Sequence, residues 1–120
     1  MKCLRGASAV DDVLKKFDAK KIRVFTVWEK VMKTDGEPPI AATLARVSHP
    51  GALQFWDPNR TLSKQSYGET DDDSIAWDCL YIYPRNTRWD TDLAPAHNFT
   101  SRPVVDTIDK FEQALSAAMR

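Results

Sequence analysis

The most regular apolar pattern near the start of the chain has the spacing of a helix. Its members share one helical face because they recur at i, i+3, i+4 and i+7: Val10, Val13, Leu14 and Phe17. Ser8 can cap this helix, and Asp11 stands three residues later as a weak capping-box partner. The pattern predicts a first helix over residues 9–17.

A second helical stripe lies near the other end of the chain. It consists of five apolar residues at helical spacing: Val104, Ile108, Phe111, Leu115 and Met119. Pro103 is suited to the first turn of this helix, because proline there removes no intrahelical hydrogen bond. The sequence therefore predicts a final helix that starts near residue 103.

Two segments between these helices are typical of strands. Residues 22–28 are nearly continuous in hydrophobicity and rich in β-branched and aromatic side chains, which predicts a strand covered on both faces. Residues 75–83 are predicted to form a second strand, ended by Pro84. Turn residues follow, and residues 88–90 are predicted to begin a short antiparallel partner.

The connections are predicted to be loops and short helices. Residues 33–39 have loop composition, and residues 40–47 can form a helix. A short helix opened by Pro50 and ended at Pro58 is expected next, followed by a helix over residues 60–67. Residues 91–102 are expected to be irregular. This alternation of helices and strands predicts an α/β fold.

Composition adds mainly exclusions. The 120 residues suffice for one domain, and Lys+Arg equals Asp+Glu at 17 each, which disfavours nucleic acid and anionic membranes as partners. The sequence shows no apolar run that could span a bilayer and no signal peptide at its start, and Cys3 and Cys79 are too few for a disulfide scaffold. A cytoplasmic location is therefore expected.

Three short segments carry a resemblance to a known family. Residues 27–35 read VWEKVMKTD, residues 54–58 read QFWDP, and residues 76–83 read AWDCLYIY. Their order and spacing, over most of residues 3–89, resemble a group of bacterial thioredoxin-like proteins of largely unassigned function. The resemblance implies a thioredoxin-like fold with a mixed sheet flanked by helices.

The resemblance also implies a strand and a cysteine that this sequence does not contain. In the thioredoxin fold a Cys-x-x-Cys motif joins the first strand to the first helix, and Cys3 matches its second cysteine. The first cysteine would precede Met1, and the N-terminal strand would be missing. An upstream start, a fragment, and a genuine minimal version that dimerises through the unpaired sheet edge are the three explanations.

A second departure concerns thiol exchange. Thioredoxins place a cis-proline before the third strand, and this sequence has no proline at residues 72–75. Cys3 nevertheless remains a candidate catalytic residue, because a helix N-terminus together with Lys2 and Arg5 favours a thiolate. The alternative is an inert vestige. Cys79 lies in a strand and is predicted to pack as a small apolar residue, although its pairing with Cys3 stays open.

The tryptophans define a candidate pocket for a ligand or partner. Its members are two acidic residues and three aromatic ones: Trp28, Trp56, Asp57, Trp77 and Asp78. Such side chains are common at interface hot spots, but they serve equally well as core packing in which carboxylates accept indole N–H bonds. Trp89 with Asp90 repeats the same pairing of residue types.

No metal site or cofactor is predicted. His49 and His97 lack the spacing of a metal motif, and residues 71–73 lack the alternating ligands of a calcium loop. The sequence thus favours a degenerate thioredoxin-like domain that binds a protein or a small molecule. The alternatives are a thiol-dependent redox protein that uses Cys3 and a structural module that forms dimers.

Overall fold

The protein is represented by a computed structural model that describes residues 2–29, 37–59, 61–62, 78–91 and 94–120, with Lys2 and Cys3 described as backbone only. The α-helices are α1 (Lys2–Leu14), α2 (Ala41–Leu44) and α3 (Ile108–Ala118). The strands are β1 (Val24–Glu29), β2 (Ala52–Asp57), β3 (Leu80–Ile82) and β4 (Phe99–Ser101). Short 3-10 helices cover Ala19–Lys21 and Val105–Thr107. The fold is α/β.

The described strands form two separate two-stranded sheets. β1 and β2 are parallel, in a register that runs from the pair Val24 and Ala52 to the pair Glu29 and Asp57. β3 and β4 are antiparallel, with Tyr81 opposite Thr100. The mixed sheet expected from the sequence is therefore divided into a parallel half and an antiparallel half within the described residues.

A layer of two helices covers one side of these sheets. The core between α1 and α3 consists of four buried side chains: Val13, Leu14, Phe111 and Leu115. Strand residues pack against it from both sheets: Val24, Leu80, Ile82 and Phe99. Beyond the core, Lys16 Nζ and Glu112 Oε1 form an ion pair at 2.7 Å. Of the described helices, none has the length and apolar character to cross a membrane.

The first helix starts well before its predicted boundary. α1 begins at Lys2 and ends at Leu14, so Ser8 lies inside the helix and does not cap it. Its hydroxyl oxygen accepts a hydrogen bond from Arg46 Nη1 at 3.1 Å. The Ser8 hydroxyl, predicted to cap the helix, therefore binds Arg46 in the segment after α2 instead.

The segment around Phe55 was predicted to be helical and is a strand. Residues 52–57 form β2, in which exposed Leu53 and Phe55 alternate with more buried neighbours. An alternation of period 2 is the strand pattern, and parallel pairing with β1 satisfies the backbone groups of this segment. The helical expectation was wrong because it relied on Pro50 as a helix start, whereas residues 49–52 form a turn closed by the hydrogen bond from Ala52 N to His49 O at 3.0 Å.

The antiparallel partner of β3 also differs from the prediction. Residues 88–90 form no strand, and the pairing partner is β4 (Phe99–Ser101), within the segment expected to be irregular. Its three residues are too few for a visible alternation. The final helix is confirmed in position, but Pro103 precedes the 3-10 turn and does not lie in the first turn of α3.

Other expectations are confirmed in part or fall outside the description. β1 is a strand as predicted, but it is not covered on both faces, because Phe25 is 60% exposed. Of the helix predicted over residues 40–47, only Ala41–Leu44 is helical. The predicted helix over residues 60–67 falls outside the described residues except at Thr61 and Leu62, which are helical. The acidic residues 71–73 and the first part of the strand predicted over residues 75–83 also fall outside them.

Candidate functional site

The parallel pairing of β1 and β2 brings two carboxyl groups together. Because the strands run in the same direction, their carboxyl ends meet at one edge, where Glu29 and Asp57 are register partners. The Glu29 carboxyl hydrogen-bonds to Asp57. In open α/β sheets this edge is where ligands usually bind. We call Glu29, Asp57, Asp78 and Cys79 the carboxyl-edge cluster.

Asp57 is held in place by the backbone that follows β2. Its Oδ1 accepts a hydrogen bond from Thr61 N at 3.0 Å, and its Oδ2 accepts one from Leu62 N at 2.9 Å. Burial raises the pKa of Asp57, but the hydrogen bonds from Leu62, Glu29 and Thr61 outweigh it and leave the pKa below its ordinary value. Asp57 is therefore an anchored carboxylate at neutral pH.

Asp78 is the least satisfied member of the cluster. It precedes β3 in a left-handed conformation, with φ of 50°, which aspartate tolerates better than most residues. Its Oδ1 accepts a long hydrogen bond from Val104 N at 3.4 Å, whereas its Oδ2 is buried and has no partner among the described residues. A buried acceptor without a donor is unfavourable, so this oxygen needs an explanation.

Gly6 brings helix α1 close to this carboxylate. A Cβ at Gly6 would lie 3.1 Å from Val104 Cβ and 3.3 Å from Asp78 Oδ1, which is tighter than ordinary van der Waals contact. Gly6 is also buried. A residue without a side chain therefore lets the second turn of α1 approach Asp78 closely.

Cys79 carries a thiol that is poorly prepared for nucleophilic attack. Burial raises its pKa above the ordinary value, and the Glu29 and Asp78 carboxylates raise it further. A hydrogen bond involving Tyr81 and the charge of Arg102 oppose this rise without cancelling it. Because the thiolate is the reactive form, Cys79 contributes a protonated side chain to the site.

Cys3 lies on the first turn of α1, as the resemblance implied. The description of this residue is limited to its backbone, so its thiol has no described contact. The position agrees with a cysteine at a helix N-terminus, where the helix dipole favours the thiolate. Its role as a catalytic residue stays a prediction.

The tryptophans of the predicted pocket do not gather around the cluster. Trp28 and Trp56 are neighbours in register, and the Trp28 indole Nε1 donates to Gln54 Oε1 at 2.9 Å. Gln54 in turn donates through Nε2 to Leu44 O at 2.9 Å. Trp28 and Trp56 are half-buried, and Trp77 falls outside the described residues. Of the predicted pocket, Asp57 and Asp78 therefore lie at the site.

The histidines lie elsewhere. His49 Nδ1 accepts a hydrogen bond from Gly51 N at 3.0 Å, and its Nε2 is buried without a described partner. It lines a shallow cleft of about 280 Å³ that Asp11 and Ser48 also line. His97 packs edge-on against Tyr81, with ring centroids 5.2 Å apart. In the part of the chain described, no three His, Cys, Asp or Glu side chains are placed to hold a metal ion.

Sequence reasoning missed Glu29 as a neighbour of Asp57, Gly6 as a neighbour of Asp78 and Arg102 as a neighbour of Cys79. Their proximity follows from sheet register and helix packing, neither of which leaves a local signal. Comparisons with protein-family models, with curated proteins and with solved structures found no match to this chain. The site itself combines fixed hydrogen-bond acceptors with a thiol whose pKa is raised by burial.

Proposed function

We propose that this chain is a non-catalytic binding domain whose carboxyl-edge cluster binds a cationic group, an ammonium or guanidinium, carried by a protein partner or a small molecule. The observation that carries the proposal is the buried Asp78 Oδ2, which has no donor among the described residues. A ligand that donates a hydrogen bond to this oxygen would remove the free-energy cost of burying it without a donor.

The charges around Asp78 favour a cationic donor. Glu29 and Asp57 lie at the same edge, and the pKa of Asp57 is held below its ordinary value, so the site carries negative charge at neutral pH. A charged donor forms stronger hydrogen bonds with a carboxylate than a neutral donor does. Arg102 acts on Cys79 from nearby, but its side chain is exposed and leaves Asp78 Oδ2 without a partner.

The proposed framework is a thioredoxin-like domain. It is supported by the described strands, which form a parallel pair and an antiparallel pair that both pack against the same helix layer. The position of Cys3 on the first turn of α1 supports it as well.

A thiol-dependent redox protein is the second candidate. The observation in its favour is the first-turn position of Cys3, where a thiolate is stabilised by the helix dipole. Against it stands the raised pKa of Cys79, which makes Cys79 a poor partner for thiol–disulfide exchange. The third candidate, a structural module that dimerises through an unpaired sheet edge, needs neither thiol.

A matched pair of peptides tests the binding proposal. Amide chemical shifts of the isotopically labelled chain are recorded while acetyl-Ala-Lys-Ala-amide is added, with acetyl-Ala-Glu-Ala-amide as its counterpart. We expect saturable shifts at Asp78, Cys79 and Glu29 with the lysine peptide and none with the glutamate peptide. The shifts are expected to weaken at high salt, because the attraction between the charges is screened.

The substitution Asp78→Asn removes the charge and keeps the shape. Asparagine also tolerates a positive φ, so the backbone before β3 is retained. We expect Asp78→Asn to reduce affinity for the lysine peptide at least tenfold, whereas Asp90→Asn, at an exposed position outside the cluster, leaves it unchanged. Equal binding of both peptides, or binding that Asp78→Asn does not alter, would overturn the proposal.

A further inference from the structure

One face of the parallel sheet is apolar and exposed. β1 and β2 direct alternate side chains away from the helix layer, and this open face carries Phe25 and Val27 from β1 and Leu53 and Phe55 from β2. Phe25 is 60% exposed, Leu53 53% and Phe55 50%. Parallel sheets are normally covered on both faces, so such a surface indicates a contact with another molecule.

The ends of the open face carry opposite charges. Arg23 directly precedes β1, continues the same alternation and is exposed. At the other end the alternation reaches Glu29 on β1 and Asp57 on β2. The face is therefore basic at its amino end, apolar in its middle and acidic at its carboxyl end.

We propose that the open face binds a second copy of this chain, face to face and with the strands of the two copies antiparallel. A two-fold axis that lies between the sheets and runs perpendicular to the strands reverses the strand direction. It therefore brings Arg23 of each copy over the carboxyl pair of Glu29 and Asp57 of the other. A two-fold axis along the strands would instead place like charges together, which is unfavourable.

The side chains of the open face also fit this arrangement by size. The side chains of the open face stand at four successive levels along the strands. The first level is Arg23, just before β1. The next three are the register pairs Phe25 with Leu53, Val27 with Phe55, and Glu29 with Asp57. The antiparallel arrangement places the second level of one copy over the third level of the other. Phe25 then meets Val27, and Leu53 meets Phe55, so each larger side chain faces a smaller one, as tight packing requires.

The available area sets the expected strength. An aromatic side chain covers about 150–250 Å², so Phe25 and Phe55 each leave on the order of 100 Å² open. With Leu53 and the flanking charged residues, two copies together bury less than the about 1,200 Å² at which the range for specific, stable interfaces begins. We therefore expect a reversible dimer that dissociates in the micromolar concentration range.

Charge reversal tests the arrangement. Sedimentation equilibrium is measured for the unchanged chain, Arg23→Glu, Glu29→Lys, and an equimolar mixture of the two variants. We expect the unchanged chain to dimerise and each variant alone to dissociate at least tenfold more readily. The mixture is expected to form a heterodimer as tight as the original, because both end contacts are then oppositely charged again.

Two further variants keep the test independent of folding defects and of nonspecific charge effects. Phe55→Lys places a charge in the middle of the apolar face and should abolish the dimer, while Arg85→Glu makes the same charge change as Arg23→Glu at an exposed turn and should leave it intact. Circular dichroism confirms that each variant is folded. A chain that stays monomeric at all concentrations overturns the proposal. A dimer that Arg23→Glu and Phe55→Lys do not weaken overturns it as well, because the contact would then lie elsewhere, such as at a sheet edge. The inference does not rest on ligand binding at Asp78, which Phe55→Lys leaves in place.

Discussion

Asp11 links helix α1 to the turn before β2 through one buried carboxylate. Its Oδ1 accepts from Ser48 N at 2.7 Å, its Oδ2 accepts from Ser48 Oγ at 2.6 Å, and Lys15 Nζ lies 3.5 Å from Oδ2. Burial raises the pKa of Asp11, but the hydrogen bonds from Ser48 and the charge of Lys15 outweigh it, so the pKa lies below its ordinary value of 3.8. This single residue joins segments that are far apart in sequence.

The lowered pKa of Asp11 predicts an acid-dependent contribution to stability. A carboxylate with a depressed folded-state pKa stabilises the fold above its unfolded-state pKa of about 3.9 and loses this effect as the pH falls through the folded-state value. We expect Asp11→Asn to lower the free energy of unfolding by about 2 kcal/mol at pH 7. The difference should shrink as the pH falls below about 4.

Urea unfolding at a series of pH values measures this effect. Asp12→Asn is the matched control, because Asp12 follows Asp11 in the same helix and is exposed. A deficit for Asp11→Asn that stays constant down to pH 2 would show that the carboxylate charge plays no part in stability.

Replacing Asp78 by asparagine is expected to raise stability, whereas the same substitution at Asp11 is expected to lower it. Burying a charged oxygen without a donor is less favourable than burying a neutral amide. We therefore expect Asp78→Asn to raise the free energy of unfolding by up to about 1 kcal/mol. Asp78→Ala should lower it, because alanine loses the acceptor for Val104 N and fits the positive φ poorly. Urea unfolding that shows equal losses for both variants would mean that Asp78 is a structural residue.

At the scale of elements, Gly6 decides how closely α1 approaches the segment after β4. Alanine favours a helix over glycine by about 1 kcal/mol, but a Cβ at Gly6 would lie 3.1 Å from Val104 Cβ, and overpacking typically costs about 1–3 kcal/mol. We expect Gly6→Ala to destabilise the chain by about 1 kcal/mol. In a Val104→Gly background, which removes the Val104 Cβ, the same change should cost less.

A double-mutant cycle in thermal and urea unfolding measures this coupling. The cycle separates the close contact from the helix propensity of alanine, because the propensity is the same in both backgrounds. Independent effects of Gly6→Ala and Val104→Gly would show that Gly6 is not required for the approach of α1 to Val104.

The elements show which parts of the fold the sequence could predict. Long periodic stripes predicted α3 and part of α1, and the β-branched run at residues 22–28 predicted β1. β2 was missed because a six-residue segment next to Pro50 also satisfies the start signals of a helix. β4 was missed because its stability comes from pairing with β3 and packing against α3, which are contacts distant in sequence.

The candidate site was predictable in its residues and not in its geometry. Asp57 and Asp78 stood out beside tryptophans, but the paired indole of Trp28 and the partnerless oxygen of Asp78 depend on tertiary contacts. The neighbours Gly6 and Glu29 depend on helix packing and on strand register. Local patterns carry none of this information.

At the scale of the whole molecule, a single helix layer packs on two small sheets and leaves the opposite side of the parallel sheet apolar. The core lies between α1, α3 and the strands, while Phe25 and Phe55 face outward. The carboxyl-edge cluster lies where strand ends and the start of α1 meet. We therefore propose that the carboxyl-edge cluster binds a hydrogen-bond donor and that the open face binds a second copy of the chain.

We propose that the carboxyl edge binds a ligand and does not exchange thiols. The rate of alkylation of each cysteine against pH, resolved by mass spectrometry, distinguishes these two roles. We expect Cys79 to titrate above its ordinary pKa of 9.0, because burial and the neighbouring carboxylates disfavour the thiolate. We also expect no disulfide between Cys3 and Cys79 in glutathione buffers. A Cys79 midpoint below 9.0 together with reversible formation of that disulfide would overturn the proposal.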